Sequence, residues 1–528
     1  MAPPRTQKRE RTGRHAFLVA SGILLSRIFG LVRQRVFSRY FGLSDEADAF
    51  LAAFRIPNYL QNLFGEGVLS ASFIPVYARL LAEGDEEEAG RVAGAVAAIL
   101  AMVVSVAVLV GVLATPLFID AIAPGFHGAK RELTIHVVRI LFPSVGLLVL
   151  SAWCLGILNS HRRFFLSYTA PVLASVAMIA TMIAFRKDAR PQLAITLAWG
   201  SVVGSALQFG VQLPRVLRLA RGLRVRLQLQ DANVREVIRN FLPVFVSRGV
   251  VQISAYVDSV LASLLGQGPV AALFTTQTIS MLPVSLFGMS VSAAELPAMS
   301  SALGDEAEVA AILRQRLNSA LRQIAFFVVP SAMAFLALGD IITATLYENG
   351  KFTYDDCVYV WGILAGAAVG LFASTLGRLY SSTYYALRDT RTPLNFAVIR
   401  VILTTGLGYL CAKPLPIWIG IDPRWGVAGL TSSAGIAAWV EFLLLRRALN
   451  RRIGRSGLPA SFVARLWISA FVAAVGAWGI KFLAGVAHPI PDGIAILGTY
   501  GVLYFSVTHL LHVEETATAV RRLTRLLG

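Results

Sequence analysis

Residues 92–113 read VAGAVAAILAMVVSVAVLVGVL, a run without a charge in which Ser105 is the one polar side chain. At 1.5 Å per residue a helix of that length reaches about 33 Å, enough to cross a hydrocarbon core of ~30 Å. The apolar residues are continuous and do not alternate, so the run does not suit a membrane barrel. In lipid the backbone must satisfy its own hydrogen bonds, which leaves a transmembrane helix.

Comparable runs recur on both sides of this stretch. They predict fourteen spans, at 16–43, 47–81, 90–121, 132–158, 164–185, 191–219, 233–265, 269–302, 308–338, 355–387, 392–412, 424–448, 461–485 and 492–512. Composition agrees: 56% of the 528 residues are hydrophobic, 15% are charged, and mean hydropathy is +0.66. A soluble chain of this size needs more charge to cover its surface. No short apolar segment with a small-residue cleavage site follows the basic N-terminus, so no removable signal peptide is expected.

The formal charge of +18 falls in short loops between the apolar runs. That placement argues against nucleic-acid binding and for cytoplasmic loops and anionic lipid heads. Arg162 and Arg163, Arg215 to Arg226, Arg314 and Arg316, Arg446 to Arg455, and Arg521 to Arg525 all share the side of the basic N-terminus. Both termini are therefore expected in the cytoplasm. Two segments run against this pattern: the acidic loop Glu83 to Glu88 falls inside, and Arg186, Lys187 and Arg190 fall outside. Cys154, Cys357 and Cys411 are isolated and form neither a metal spacing nor a disulfide framework.

An internal repeat is visible. Ser26-Arg27 recurs as Ser247-Arg248, Phe64-Gly65 as Phe287-Gly288, Pro75 as Pro297 and Pro171 as Pro393, all at offsets of 221 to 223 residues. Six spans separate the copies, an even number, so the halves have parallel topology. The expected fold is an all-α polytopic membrane protein. Two six-helix lobes, residues 1–220 and 221–455, are related by a pseudo-twofold axis along the membrane normal, with a site between them. Two further helices occupy 456–528.

A charge inside a spanning helix costs ~2.5–3.5 kcal/mol on insertion scales, so it marks a wet cavity or a partner. Arg27, Arg33, Arg35 and Arg39 lie in the first span and cover a broad helix face. Arg27 and Arg33 are the cavity candidates. Arg35 and Arg39 suit pairing or snorkelling as well as a cavity role. The second span adds Asp48, Arg55, Gln61 and Glu66, with soft points at Pro57-Asn58 and at the glycines flanking Glu66. Asp45 and Glu46 read as a solvated turn, and Asp48 as a partner for an arginine of the first span. In the second lobe Arg248 is the repeat partner of Arg27, and Asp258 is its expected counter-ion. Arg378 is a further candidate there. Arg400 and Glu441 suit a structural ion pair or a substrate role equally. A cavity lined by Arg27, Arg33, Arg55 and Arg248 points to an anionic cargo such as a pyrophosphate, because guanidinium binds phosphate through a planar fork and keeps its charge. No Walker loop, metal cluster or hydrolytic triad is present, so no enzyme activity and no cofactor are expected. Coupling to the membrane potential or an ion gradient would drive transport.

The stretch from Ser26 to Ala78, SRIFGLVRQRVFSRYFGLSDEADAFLAAFRIPNYLQNLFGEGVLSASFIPVYA, resembles the lipid II flippases, within the multidrug, oligosaccharidyl-lipid and polysaccharide exporter superfamily. Ser26-Arg27, Gly30, Val32-Arg33, Phe41-Gly42, Asp48-Ala49-Phe50, Pro57-Asn58, Glu66-Gly67 and Pro75 carry the likeness. So do Gln252 to Ser254 with Asp258, Leu282-Pro283, and Tyr384 to Pro393. The resemblance covers nearly the whole chain. It implies flipping of lipid II from the inner to the outer leaflet of the bacterial inner membrane by alternating access. It further implies a cationic central cavity for the pyrophosphate headgroup and a groove for the polyprenyl tail on the last two helices. Expected partners are lipid II, membrane lipids and the enzymes of peptidoglycan synthesis. The chain departs from the family at Gln61 and Thr278, where basic residues are usual, and Arg248 would take the place of the missing cation at Thr278. The competing readings are an exporter of another polyprenyl-linked saccharide and a non-transporting scaffold for cell-wall synthesis.

Overall fold

The computed structural model describes residues 5–64, 66–300, 305–484 and 488–517; the side chains of 5–20 and of several positions within helices, Glu66 and Arg248 among them, lie outside that description. The described residues are helical almost throughout. The helices are α1 (Arg5–Phe41), α2 (Asp45–Phe64), α3 (Glu66–Glu83), α4 (Glu86–Leu113), α5 (Thr115–Ile122), α6 (Gly128–Ser160), α7 (Phe164–Ala184), α8 (Arg190–Leu219), α9 (Ala232–Ser263) and α10 (Pro269–Pro283). After a π-helical turn at Val284–Met289 follow α11 (Ser290–Ser300), α12 (Glu306–Ala337), α13 (Gly339–Tyr347), α14 (Tyr354–Ala386), α15 (Arg391–Ala412), α16 (Pro414–Ile419), α17 (Gly426–Ile453), α18 (Ala460–Ala484) and α19 (Pro489–Leu510).

Eleven helical segments among the described residues are long and apolar enough to cross a membrane, which makes this a multi-pass membrane protein. The other long helices, α1, the α2–α3 pair and α9, carry more charge. They are the elements that hold the candidate arginines.

The chain folds into two compact units, Met1–Gly268 and Pro269–Gly528. This packing boundary falls one helix later than residue 220, because α9 packs on α2, α3 and α4. Inside the first unit α4 packs on α6, α6 on α8, and α7 on α8. Inside the second, α12 packs on α14, α14 on α17, and α15 on α17. The repeat extends to the short helices α5 and α13, which follow α4 and α12 at matching places. α1 covers α7, whereas α15 keeps Leu394, Val398, Ile399 and Ile402 exposed.

Close packing is built on small residues. A Cβ at Gly90 would lie 1.8 Å from the Arg221 carbonyl oxygen, and one at Gly94 2.2 Å from that of Arg224, so the strand of loop after α8 lies directly on α4. That contact accounts for the acidic loop beside it. Asp85 caps α4, accepting from the Glu88 N–H at 2.9 Å, and Glu86 to Glu88 occupy the first turn, where the helix dipole favours negative charge. Glu86 meets Arg221 at 3.3 Å, and Glu88 pairs with Arg91 and accepts from Asn233. The local cations, not the side of the membrane, set the sign of this loop.

The last two helices are tied into the second unit by buried polar contacts. Tyr500 and Tyr504 donate to the carbonyls of Pro330 and Phe326, each at 2.7 Å. Lys481 meets Asp340 at 2.5 Å, and Tyr354 donates to the same carboxylate oxygen at 2.9 Å. The opposite face of α18 exposes Ile468, Phe471, Val475 and Phe482.

Candidate substrate-binding site

α1 passes close along α7: a Cβ at Gly22 would stand 2.8 Å from the Cβ of Tyr168. Further along α1, the Arg33 guanidinium lies 3.8 Å from the Met178 sulfur of α7 and 5.4 Å from the Phe54 ring centroid of α2. These contacts suit the flat, weakly hydrated face of a guanidinium but carry no negative charge to balance it. Arg27 is exposed on the same helix. Among the described residues neither Arg27 nor Arg33 has a carboxylate partner. Two cations on α1 are thus left without a counter-ion among the described residues, and an anion would supply one.

Arg55 stands at the contact of α2 with α9. The Tyr256 hydroxyl donates to the Arg55 carbonyl at 3.3 Å, and the Tyr256 ring meets Tyr59 edge-on at 4.8 Å between centroids. Asp258, on the same helix as Tyr256, lies within electrostatic reach of the Arg55 guanidinium. Asp258, the expected counter-ion of Arg248, is thus in reach of Arg55; the Arg248 side chain itself lies outside the described residues. Pro57 leaves α2 unbroken to Phe64, and Asn58 donates its amide to the Phe54 carbonyl at 3.1 Å. Gln61 is half-buried two turns beyond Arg55. The side chain of Glu66 is outside the described residues.

Asp48 sits elsewhere and has a different kind of neighbourhood. Its carboxylate is fully buried, accepts from the Lys130 ammonium at 2.7 Å and from the Gly268 N–H at 2.8 Å. Lys130 also reaches Asp45 at 2.8 Å, the Gly266 carbonyl at 3.2 Å and the Phe126 ring at 4.3 Å. The cation for Asp48 thus comes from the start of α6, where the sequence suggested an arginine of α1. This clasp draws the first turn of α2, the first turn of α6 and the chain just after α9 together. Lys130 escaped sequence reading because a lysine at the edge of an apolar run looks like an ordinary interfacial anchor.

Thr278 is in the second unit and spends its hydroxyl on the Phe274 carbonyl of its own helix, at 2.9 Å. Arg400 and Glu441 form an ion pair at 3.1 Å. No group of three histidine, cysteine, aspartate or glutamate side chains among the described residues is placed to hold a metal ion.

The family model described as "Lipid II flippase MurJ" matches residues 37–490. The chain belongs to the lipid II flippase MurJ family. Among curated MurJ relatives, the lipid II flippase MurJ of Burkholderia cenocepacia is 32% identical over 485 residues, covering 90% of this chain and 89% of the relative. The probable lipid II flippase MurJ of Rhizobium tropici is 29% identical, covering 96% of each. The fold is that of a lipid II flippase MurJ solved in an inward closed conformation, with a TM-score of 0.77, 23% identity, and coverage of 94% of this chain and 99% of that one. An inward-facing MATE-family multidrug transporter shares it at a TM-score of 0.67 and 18% identity over 83% of this chain and 98% of that one. The MurJ family model begins after Arg27 and Arg33, so their candidacy rests on the geometry around α1.

Proposed function

We propose that this MurJ-family chain carries lipid II from the inner to the outer leaflet of the bacterial cytoplasmic membrane by alternating access. Arg27, Arg33 and Arg55 engage the pyrophosphate of the headgroup. The observation that carries this reading is the pair of guanidinium groups at Arg27 and Arg33, uncompensated among the described residues. Keeping them in a spanning helix is costly, and a diphosphate provides the missing charge through forked, charge-assisted hydrogen bonds. Arg55, with Asp258 beside it, adds a third guanidinium that is already partly balanced. The exposed apolar face of α18 offers a surface for a polyprenyl chain. Both termini lie in the cytoplasm, α1, the α2–α3 pair and α9 complete the set of fourteen spans, and a gradient or the membrane potential drives the cycle.

The test is rescue of bacteria depleted of their own lipid II flippase, read as growth and as lipid II exposed on the outer face. The wild-type chain rescues, and an Arg33→Ala variant inserted at the same level does not. Equal rescue by Arg33→Ala refutes the cationic site. Failure of a well-inserted wild type favours another polyprenyl-linked saccharide, the reading to which Gln61 and Thr278 point.

A further inference from the structure

The second unit holds a cluster of charges that the site around α1 does not use. Arg378 lies on α14, Arg400 on α15 and Glu441 on α17. Glu441 pairs with Arg400 at 3.1 Å and is largely buried, with 14% of its side chain exposed. Arg378 lies within electrostatic reach of both. It makes no hydrogen bond or ion pair among the described residues. Its side chain is exposed, on a helix that packs against the one carrying Glu441. Tyr385, seven residues further along α14 and so on the same helix face, is exposed and in electrostatic reach of Glu441.

Arg378 and Arg400 lie at similar distances from the same ends of their helices. Arg378 is about 12 Å along α14 from its Ala386 end, and Arg400 about 13 Å along α15 from Arg391, at 1.5 Å per residue. The ends of these helices belong together: Arg452, in the last turn of α17, pairs at 2.8 Å with Asp389 in the loop joining α14 to α15. Among the described residues, two guanidinium groups and one carboxylate leave one positive charge of this cluster uncompensated. Among the described residues Glu441 engages Arg400 through Nη1, and the remaining donors of that fork, with those of Arg378, are available.

We propose that Arg378 and Arg400 form a second oxyanion-binding site, within the Pro269–Gly528 unit, and that Glu441 is its built-in competitor, holding Arg400 while the anion is absent. The ligand is a phosphate or carboxylate oxyanion of the lipid-linked cargo, an assignment that rests on the flippase reading above. The site gives the second unit a cation that position 278 does not provide.

The experiment measures binding of two probes to the full chain in lipid nanodiscs: lipid II, and undecaprenyl diphosphate, which has the diphosphate without sugars or peptide. Arg378→Gln weakens binding of lipid II by roughly tenfold or more, the scale of one lost charge-assisted hydrogen bond. Glu441→Gln strengthens it several-fold, because Arg400 is released; a merely structural ion pair would give the opposite sign. The same two changes for undecaprenyl diphosphate assign the site to phosphate, and changes confined to lipid II assign it to a carboxylate. Wild-type binding by Arg378→Gln, or weaker binding by a well-folded Glu441→Gln, overturns the proposal. If Arg33→Gln then still abolishes binding, the flippase reading stands alone. Absence of binding of both probes to the wild type overturns that reading and this site together.

Discussion

Replacing Lys130 with methionine keeps the length of the side chain and removes its charge, and the cost falls on Asp48. The Asp48 side chain is 0% exposed and that of Lys130 11%, so water screens little of their interaction. Removing one partner of such a buried pair costs ~3–5 kcal/mol, because the other charge stays behind. The carboxylate has an escape. Taking up a proton costs a group of pKa ~3.9 about 4 kcal/mol at pH 7, at 1.36 kcal/mol per unit, which caps the loss. The Gly268 N–H still donates to Asp48 at 2.8 Å and holds the figure slightly below the cap. The expected loss is ~3–4 kcal/mol at pH 7 and ~2 kcal/mol at pH 5.5, where protonation is cheaper. At roughly 2 °C per kcal/mol for a body the size of the first unit, thermal unfolding of the purified protein should shift down by ~6–8 °C at pH 7 and by ~4 °C at pH 5.5. Adding Asp48→Asn to Lys130→Met should recover part of the loss, since a neutral unpaired amide costs ~1–3 kcal/mol. Asp45→Asn should cost under ~1 kcal/mol, because Asp45 is 47% exposed and its share of Lys130 is screened. A Lys130→Met protein as stable as wild type at pH 7, or one whose deficit does not shrink on acidification, refutes the reasoning.

Two other expectations follow from local geometry. Gly90→Ala places a Cβ 1.8 Å from the Arg221 carbonyl, a backbone atom, and should cost ~1–3 kcal/mol or more in thermal unfolding, whereas Gly30→Ala, with nothing within 4 Å, should be neutral or stabilising. His161, in the turn after α6 with its Nε2 3.0 Å from the Tyr77 hydroxyl, is held below the ordinary histidine value chiefly by burial, against an opposing pull from Glu86 and with a lesser push from Arg163. A depressed imidazole leaves stability unaffected above pH ~6.5 and erodes it as the pH falls below that, where the unfolded chain takes the proton first. His161→Gln should flatten the decline of unfolding temperature between pH 7 and pH 5.5, and an unchanged slope would exclude His161 as its source.

The helices could be read from the chain with little loss. Predicted spans such as 164–185 and 191–219 correspond to Phe164–Ala184 and Arg190–Leu219, because apolar run length and basic flanks are properties of consecutive residues. The first candidate charges were picked out for a similar reason: Arg27 and Arg33 stand out by being expensive in a run that reads as a span. The short helix α5 merges in sequence with the span before it, and α13 and α16 fall in the gaps between predicted spans, since nothing in a local apolar pattern marks a change of direction.

The sequence by itself determined that this is a multi-pass helical membrane protein, that its halves repeat, and that its first helix carries a set of cations. Only the tertiary structure decided who balances whom. Asp48 and Lys130 are 82 residues apart and Arg55 and Asp258 about 200, whereas the pairing of Arg400 with Glu441 was already open to the sequence. It also decided that α9, which opens the second copy of the repeat, packs with the first unit. The physical reason is that burying a charge or a helix face is a cost incurred locally, whereas the group that offsets it can come from any segment the fold brings within a few ångströms.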